Sequence, residues 1–178
     1  ILGSFSNVCV VRLPKGESVA LPPSHCPQCG HKLRWWENIP VLSFIILKGR
    51  CHDCGQKISI RYPVIEIVCI ILAVTTWWKF EEPLHFFVYF CLFVIPLVIV
   101  SFIDLELKII PDVISIPGIF AGIGVCALFA PTGMKLSATL NSAVGALLGG
   151  SFLFIVAYTY EKIKKQEGLG GGDVKLIA

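Results

Sequence analysis

The chain has 178 residues, of which 55% are apolar and only 15% are charged, and its formal net charge is +3. A soluble domain carries roughly 25% charged residues. Together with a mean hydropathy of +0.78, the composition therefore predicts a protein that places much of its length in lipid. The small net charge argues against a nucleic-acid partner, and the chain is too long and too apolar for a disulfide-stapled secreted domain.

The first twelve residues are predicted to form the end of a truncated first transmembrane helix. Their apolar run, residues 1–11, is shorter than the about 20 residues that a membrane span needs. No basic region precedes the run, as a signal peptide would require. A polar stretch rich in Cys, Pro and Gly then continues to about residue 61.

Two C-x-x-C motifs stand in this polar stretch, one at Cys26 and Cys29 and the other at Cys51 and Cys54, and a glycine follows each motif. Four thiolates on two tight turns predict a tetrahedral zinc ion, which with four protein ligands would be structural rather than catalytic. The alternative, a pair of redox dithiols, would need a thioredoxin-like βαβ context that the sequence lacks. Three histidines close to the motifs are predicted to lie at the surface or to support the ligands: His25, His31 and His52. The remaining cysteines are predicted to be small core residues: Cys9, Cys69, Cys91 and Cys126.

Four apolar segments follow and are predicted to be transmembrane helices: residues 63–78, 84–103, 113–130 and 138–160. Each run is continuously apolar rather than alternating, which favours helices over the strands of a membrane barrel. Aromatic residues close the first and the last segment, as expected at a membrane interface.

Basic residues are concentrated in alternate loops and orient the chain in the membrane. Residues 12–61 carry eight Lys or Arg, and the loop directly after the fourth segment carries Lys162, Lys164 and Lys165. Because loops rich in Lys and Arg stay in the cytoplasm, the cysteine-rich loop is predicted to be cytoplasmic. The connection at residues 104–112 and the glycine-rich segment at 168–173 are predicted to lie on the same side.

Two aspartates at this predicted face are candidates for chemistry. Asp104 stands where the second segment reaches the cytoplasm, and Asp173 follows a run of glycines. Two carboxylates that share one proton can act as acid and base, as in aspartic proteases. The alternatives are that Asp104 is an interfacial charge beside Lys108 and that Asp112 and Asp173 cap helices.

Other polar and small residues in the segments leave their roles open. Glu66, one turn into the first segment, could cap the helix, pair with Arg61 or line a polar pocket. Two glycine pairs with the spacing of close helix contacts predict a tight bundle: Gly118 with Gly122, and Gly145 with Gly149.

The motifs together resemble the type IV prepilin peptidases, which are bacterial inner-membrane aspartic proteases of the GxGD type. The stretches that carry the resemblance, in chain order, are GSFSNVCVVRLP, the two cysteine motifs, ENIPVLSF, ISIRYPVIE, SFIDLELKIIPD and GLGGGDVKLIA. The resemblance implies that Asp104 and Asp173 are the catalytic pair and that Gly170 and Gly172 form the active-site loop. It also implies cleavage of the basic leader of prepilins and pseudopilins on the cytoplasmic side.

Many members with such a cysteine domain also methylate the new amino terminus with S-adenosylmethionine, and the resemblance implies this activity here. The region assigned to methyl transfer or substrate binding contains Asn38, Pro40 and Glu66.

The sequence thus predicts an all-α polytopic membrane protein, a transmembrane helix bundle with a small cytoplasmic zinc-ribbon-like domain. Its expected parts are the helix end at 1–12, the four-cysteine zinc domain at 13–61 and a C-terminally truncated peptidase domain at 62–178. Besides the lipid bilayer, its expected partners are prepilin and pseudopilin substrates. The alternative functions are a non-catalytic membrane scaffold whose zinc loop docks partners and a proton-coupled transporter.

Overall fold

The computed structural model describes residues 1–164 and 171–177, and this part of the chain is helical with no β-strand. It divides into two compact units, Ile1–Glu106 and Leu107–Ala178. The helices in the described part are α1 (Leu2–Arg12), α2 (Leu42–Ile46), α3 (Arg61–Lys79), α4 (Pro83–Tyr89), α5 (Ile95–Leu107), α6 (Asp112–Phe129), α7 (Lys135–Lys164) and α8 (Gly171–Ile177). The predicted fold class, an all-α membrane protein with a small four-cysteine domain, is confirmed.

Four helical stretches of the described chain are long and apolar enough to cross a membrane: Arg61–Lys79, Pro83–Leu107, Asp112–Phe129 and Lys135–Ile163. They coincide with the four predicted segments. The second runs four residues beyond its predicted end at residue 103, because the helix continues through Asp104 until Lys108 takes a left-handed φ of 54°. A left-handed residue just after the last helical position is a common way to end a helix.

In the first unit, α1 packs closely along α3. A Cβ added at Gly3 would stand 3.1 Å from the Cα of Glu66, so the small residue lets the two backbones approach. The seam between the helices contains buried polar side chains, among them Ser6 and Asn7. Asn7 donates a hydrogen bond of 3.1 Å to the carbonyl of Tyr62, which ties α1 to the start of α3.

The second membrane-length stretch changes its helical geometry near Pro96. Residues Phe90–Val94 form a π-helical segment between α4 and α5. Proline has no N–H to donate to the carbonyl four residues earlier, and a widened turn next to such a position accommodates the missing bond.

In the second unit, α6, α7 and α8 contact one another. A Cβ added at Gly149 would stand 3.1 Å from the carbonyl oxygen of Ile177, so the predicted close contact at Gly149 is confirmed. At Gly118 and Gly145, an added Cβ would meet no atom of the described residues within 4 Å, so this part of the chain makes no close helix contact at either glycine. Of the four cysteines predicted to be core residues, Cys9 and Cys69 are buried, Cys126 is half-buried and Cys91 is exposed.

Candidate active site and metal centre

The two C-x-x-C motifs form two hairpin turns of the same geometry. In the first, the amide of Gly30 donates to the carbonyl of Cys26 at 2.9 Å; in the second, the amide of Gly55 donates to Cys51 at 3.0 Å. The glycines have φ values of 73° and 69°, in the left-handed region that glycine adopts without strain. One isolated β-bridge closes each turn.

These turns bring four sulfurs together as the sequence predicts. All four Sγ atoms lie within 4.8 Å of one another. Cys26 is 3.9 Å from Cys54, and Cys29 is 4.0 Å from Cys51. A zinc ion with Zn–S bonds of about 2.3 Å needs sulfurs about 3.8 Å apart, so the quartet fits a tetrahedral metal site.

The backbone of the first turn also favours a thiolate. The amides of Cys29 and Gln28 hydrogen-bond to the sulfur of Cys26 and lower the pKa of this thiol to about 7. Since the thiolate is the form that binds metal, the backbone of this turn stabilises Cys26 in the form that can act as a metal ligand.

His31 connects the two turns, a role that sequence reasoning did not identify. Its Nε2 lies 3.0 Å from a carboxylate oxygen of Glu37, and its Nδ1 lies 2.8 Å from Asp53 in the second turn. Asp53 also contacts Nδ1 of His52 at 3.0 Å. The only signal in the sequence was the presence of histidines beside both motifs, which does not specify their partners.

Glu37 is the buried end of this network, with a side chain only 1% exposed. Burial raises the pKa of Glu37, but the amide of Arg34, which donates at 2.7 Å, and the imidazole of His31 outweigh it and lower the pKa overall. The carboxylate is therefore ionised, and it anchors the 3-10 turn Trp35–Asn38 to the cysteine centre.

The segment after this turn docks on the α1–α3 pair. Ser4 on α1 donates a hydrogen bond of 2.7 Å to Oδ1 of Asn38. Val41, which follows Pro40, has a φ of 62°, a rare value for a β-branched residue. Its amide donates at 2.8 Å to Oε2 of Glu66, so the three residues assigned to methyl transfer or substrate binding belong to one neighbourhood.

The sequence leaves three roles open for Glu66: capping the helix, pairing with Arg61 or lining a polar pocket. Glu66 does not pair with Arg61, because the guanidinium of Arg61 instead donates from Nη1 to both carboxylate oxygens of Glu106. Glu66 is 7% exposed and its bond to Val41 joins α3 to a distant segment, which is more than helix capping.

Asp104 lies in the last turn of α5 and is exposed. Two residues later, Glu106 makes the ion pair with Arg61 at the start of α3. This pair fixes the end of α5 on which Asp104 stands.

Asp173 lies in the first turn of α8, whereas Gly170 lies outside the described residues. A Cβ added at Gly172 would stand 2.6 Å from the Cβ of Ile110, so only glycine fits here without displacement. Lys175 on the same helix contacts Asp112 at 2.7 Å. Asp112 is the first residue of α6, and that helix start has no side-chain capping bond.

Two family models together match most of this chain, and several curated relatives match 99–100% of it. Residues 1–80 match the model described as the bacterial peptidase A24 N-terminal domain, and residues 91–178 match the type IV leader peptidase family. No solved structure matches significantly.

Three relatives share the name prepilin leader peptidase/N-methyltransferase. The protein of Pseudomonas putida is 34% identical over 100% of this chain and 67% of its own length. That of Myxococcus xanthus is 39% identical over 99% and 51%, and that of Klebsiella pneumoniae is 36% identical over 99% and 77%. The chain therefore spans between about half and three quarters of these relatives.

Proposed function

Since the chain belongs to the prepilin leader peptidase family, a family of multi-pass membrane enzymes, we propose that it is a GxGD aspartic endopeptidase with Asp104 and Asp173 as the catalytic pair. It removes the leader of type IV prepilins and pseudopilins at the cytoplasmic face of the bacterial inner membrane. It also N-methylates the new amino terminus with S-adenosylmethionine.

The strongest support for the peptidase assignment comes from the segment that carries Asp173. Gly172 approaches Ile110 too closely for any side chain, which explains why a glycine precedes the aspartate. Gly172 lies in the first turn of α8 rather than in the loop that the sequence predicts. With Gly170 it supplies the two glycines of the GxGD pattern next to Asp173.

The proposed chemistry uses two carboxylates that share one proton. One carboxylate takes a proton from the attacking water, and the other gives its proton to the carbonyl oxygen of the scissile bond. The pair then returns a proton to the leaving amine. This requires the carboxyl groups of Asp104 and Asp173 to come within hydrogen-bond distance of each other in the working enzyme.

The distribution of basic residues supports an active site on the cytoplasmic side of the membrane. The substrate's leader is basic and stays in the cytoplasm, so the cleaving groups must face that side. The loops rich in Lys and Arg would place α5's last turn and α8's first turn there. Carboxylates at a membrane edge also attract a basic leader.

The cysteine quartet is proposed to hold a structural Zn²⁺. Its ligands would be Cys26, Cys29, Cys51 and Cys54, whose spacing fits a tetrahedral ion. The ion would fix the two turns, and through His31 it would fix the segment that reaches Asn38, Pro40 and Glu66. Residues 13–61 are thus assigned as a zinc domain and residues 62–178 as the peptidase domain.

Incubation with a prepilin in detergent or vesicles tests the assignment. The wild type should shorten the substrate by the mass of its leader and then add one methyl group. Asp104→Asn and Asp173→Asn should each abolish leader loss. A variant at an exposed carboxyl outside this site, Glu81→Gln, serves as the control. Leader loss by either catalytic variant at the wild-type rate would refute the catalytic pair.

A further inference from the structure

Glu66 is a buried carboxylate that forms no ion pair with the described residues. Its residue is 7% exposed, and none of the ion pairs among the described residues includes it. Oε2 accepts the amide of Val41, while Oε1 accepts no hydrogen bond from the described residues. An unpaired carboxylate inside a membrane-length helix is costly, and such groups usually have a functional partner.

The guanidinium groups on the helices around Glu66 bind other acceptors and do not contact Glu66. On α1, the guanidinium of Arg12 donates to the carbonyls of Ser18 and Pro22. On α3, Arg61 pairs with Glu106. The other titratable groups on these elements are the α-amino group of Ile1, the thiols of Cys9 and Cys69, the phenol of Tyr62, the carboxylate of Glu37 and, at the far end of α3, the ammonium of Lys79.

We propose that Glu66 is the catalytic carboxylate of methyl transfer, which binds the new N-terminal ammonium of the cleaved substrate and removes its proton. This inference rests on the proposed methyltransferase function. It assigns to one residue of this chain the step that any N-methylation at neutral pH requires.

The step requires a base because an N-terminal amine has a pKa of about 7.7–8.0 and is mostly protonated at pH 7. The carboxylate takes one proton from the ammonium and leaves a neutral amine. The lone pair of the amine then forms a bond to the methyl carbon of S-adenosylmethionine, and the carbon–sulfur electron pair goes to sulfur. The products are the methylated ammonium and S-adenosylhomocysteine, and the proton on Glu66 passes to water.

The depth of Glu66 fits this substrate. It stands five residues after Arg61, the first residue of α3, which is about 7.5 Å along the helix axis. Leader cleavage leaves the new terminus at the head of the substrate's hydrophobic segment, so its ammonium should lie just inside the same membrane edge.

The turn at Val41 fits the same role. Its positive φ directs the amide at Oε2 of Glu66, and backbone strain of this kind is concentrated at functional sites. The strained turn holds the carboxylate in one orientation, and Oε1 remains available for the ammonium.

The test uses the full chain in vesicles with S-adenosylmethionine and a synthetic peptide of the mature pilin N-terminus. Because this peptide needs no cleavage, the assay is independent of Asp104 and Asp173. Glu66→Gln keeps an acceptor for Val41 and loses the charge, whereas Glu66→Asp keeps the charge. Glu81→Gln, an exposed carboxyl outside this neighbourhood, is the matched control.

At pH 7 we expect Glu66→Gln to methylate the peptide about 100-fold more slowly or worse. Its rate should rise about tenfold per pH unit towards the pKa of the amine, near 8, and this recovery would show that the variant is folded. Glu66→Asp should retain a measurable rate at pH 7. Without methyl donor, the wild type should bind the free peptide more tightly than its N-acetylated form, and Glu66→Gln should lose this preference.

Two outcomes would overturn the proposal. If Glu66→Gln matches the wild type at pH 7 while Glu66→Asp fails, the carboxylate only anchors Val41. If Glu66→Gln is slow at every pH, it does not act by proton removal. A wild type that cleaves prepilin but never methylates the peptide would instead remove the methyltransferase function and this inference together, leaving the peptidase assignment intact.

Discussion

Replacing His31 by Gln should loosen the cysteine centre far more than the same replacement at His25. His31 lies between Glu37 at 3.0 Å and Asp53 at 2.8 Å. His25 is exposed, and among the described residues its ring hydrogen-bonds to the carbonyl of Pro23 alone. Both histidines stand close to Cys ligands, so the comparison separates the network from proximity to the metal.

The expected magnitude follows from the burial of Glu37. Leaving a buried acceptor without its hydrogen-bond partner costs about 1–3 kcal/mol, and more when the acceptor is charged. Protonation of the Glu37 carboxyl would remove the unpaired charge, but at pH 7 protonation itself costs about 3.7 kcal/mol from an ordinary pKa near 4.3. Since the amide of Arg34 still donates to Glu37, we expect a loss of about 2–4 kcal/mol, or roughly 30- to 1000-fold in zinc affinity, because metal binding and folding are linked.

A chelator titration of the purified protein, with zinc release followed by an indicator, measures this loss. The double variant His31→Gln/Glu37→Gln should recover much of it, since replacing both partners removes the unpaired charge. Equal zinc release by the His31 and His25 variants would show that the network carries no stability.

Three further predictions concern the rest of the molecule. Gly172→Ala should slow leader cleavage at least tenfold, because its Cβ would stand 2.6 Å from that of Ile110. Gly145→Ala should be neutral, because its Cβ would meet none of the described residues within 4 Å; the cleavage rates of the two variants decide this. Arg61→Glu should lower kcat for leader cleavage more than it changes KM, and adding Glu106→Arg should restore it; no restoration would mean that the ion pair does not position α5. Metal analysis under reducing conditions should find one zinc per chain, and a clearly substoichiometric value would contradict the structural site.

The features that could be predicted from the sequence are those that depend on residues close together in the chain. Membrane-length helices follow from runs of apolar residues, and the cysteine quartet follows from two motifs whose turns have nearly the same geometry. The ion pair of Arg61 with Glu106 joins residues 45 positions apart, so it depends on how helices pack and no local pattern indicates it. The contact of Val41 with Glu66 is not indicated by any local pattern either, because a positive φ is contrary to the intrinsic preference of valine.

Each of the two candidate aspartates is followed, two residues later, by a charged residue that forms an ion pair within the same unit. Neither unit depends on this ion pair for its stability. Glu106, two residues after Asp104, pairs with the start of α3, and Lys175, two residues after Asp173, pairs with Asp112 at the start of α6. Exposed pairs of this kind contribute only about 0–1 kcal/mol to folding, so their value lies in orientation. Positions i and i+2 lie about 200° apart around a helix; a helix held at i+2 therefore keeps position i on the opposite side, clear of the anchoring contact. On this argument each ion pair fixes the rotation of the helix that carries a catalytic candidate, and it does so within its own unit.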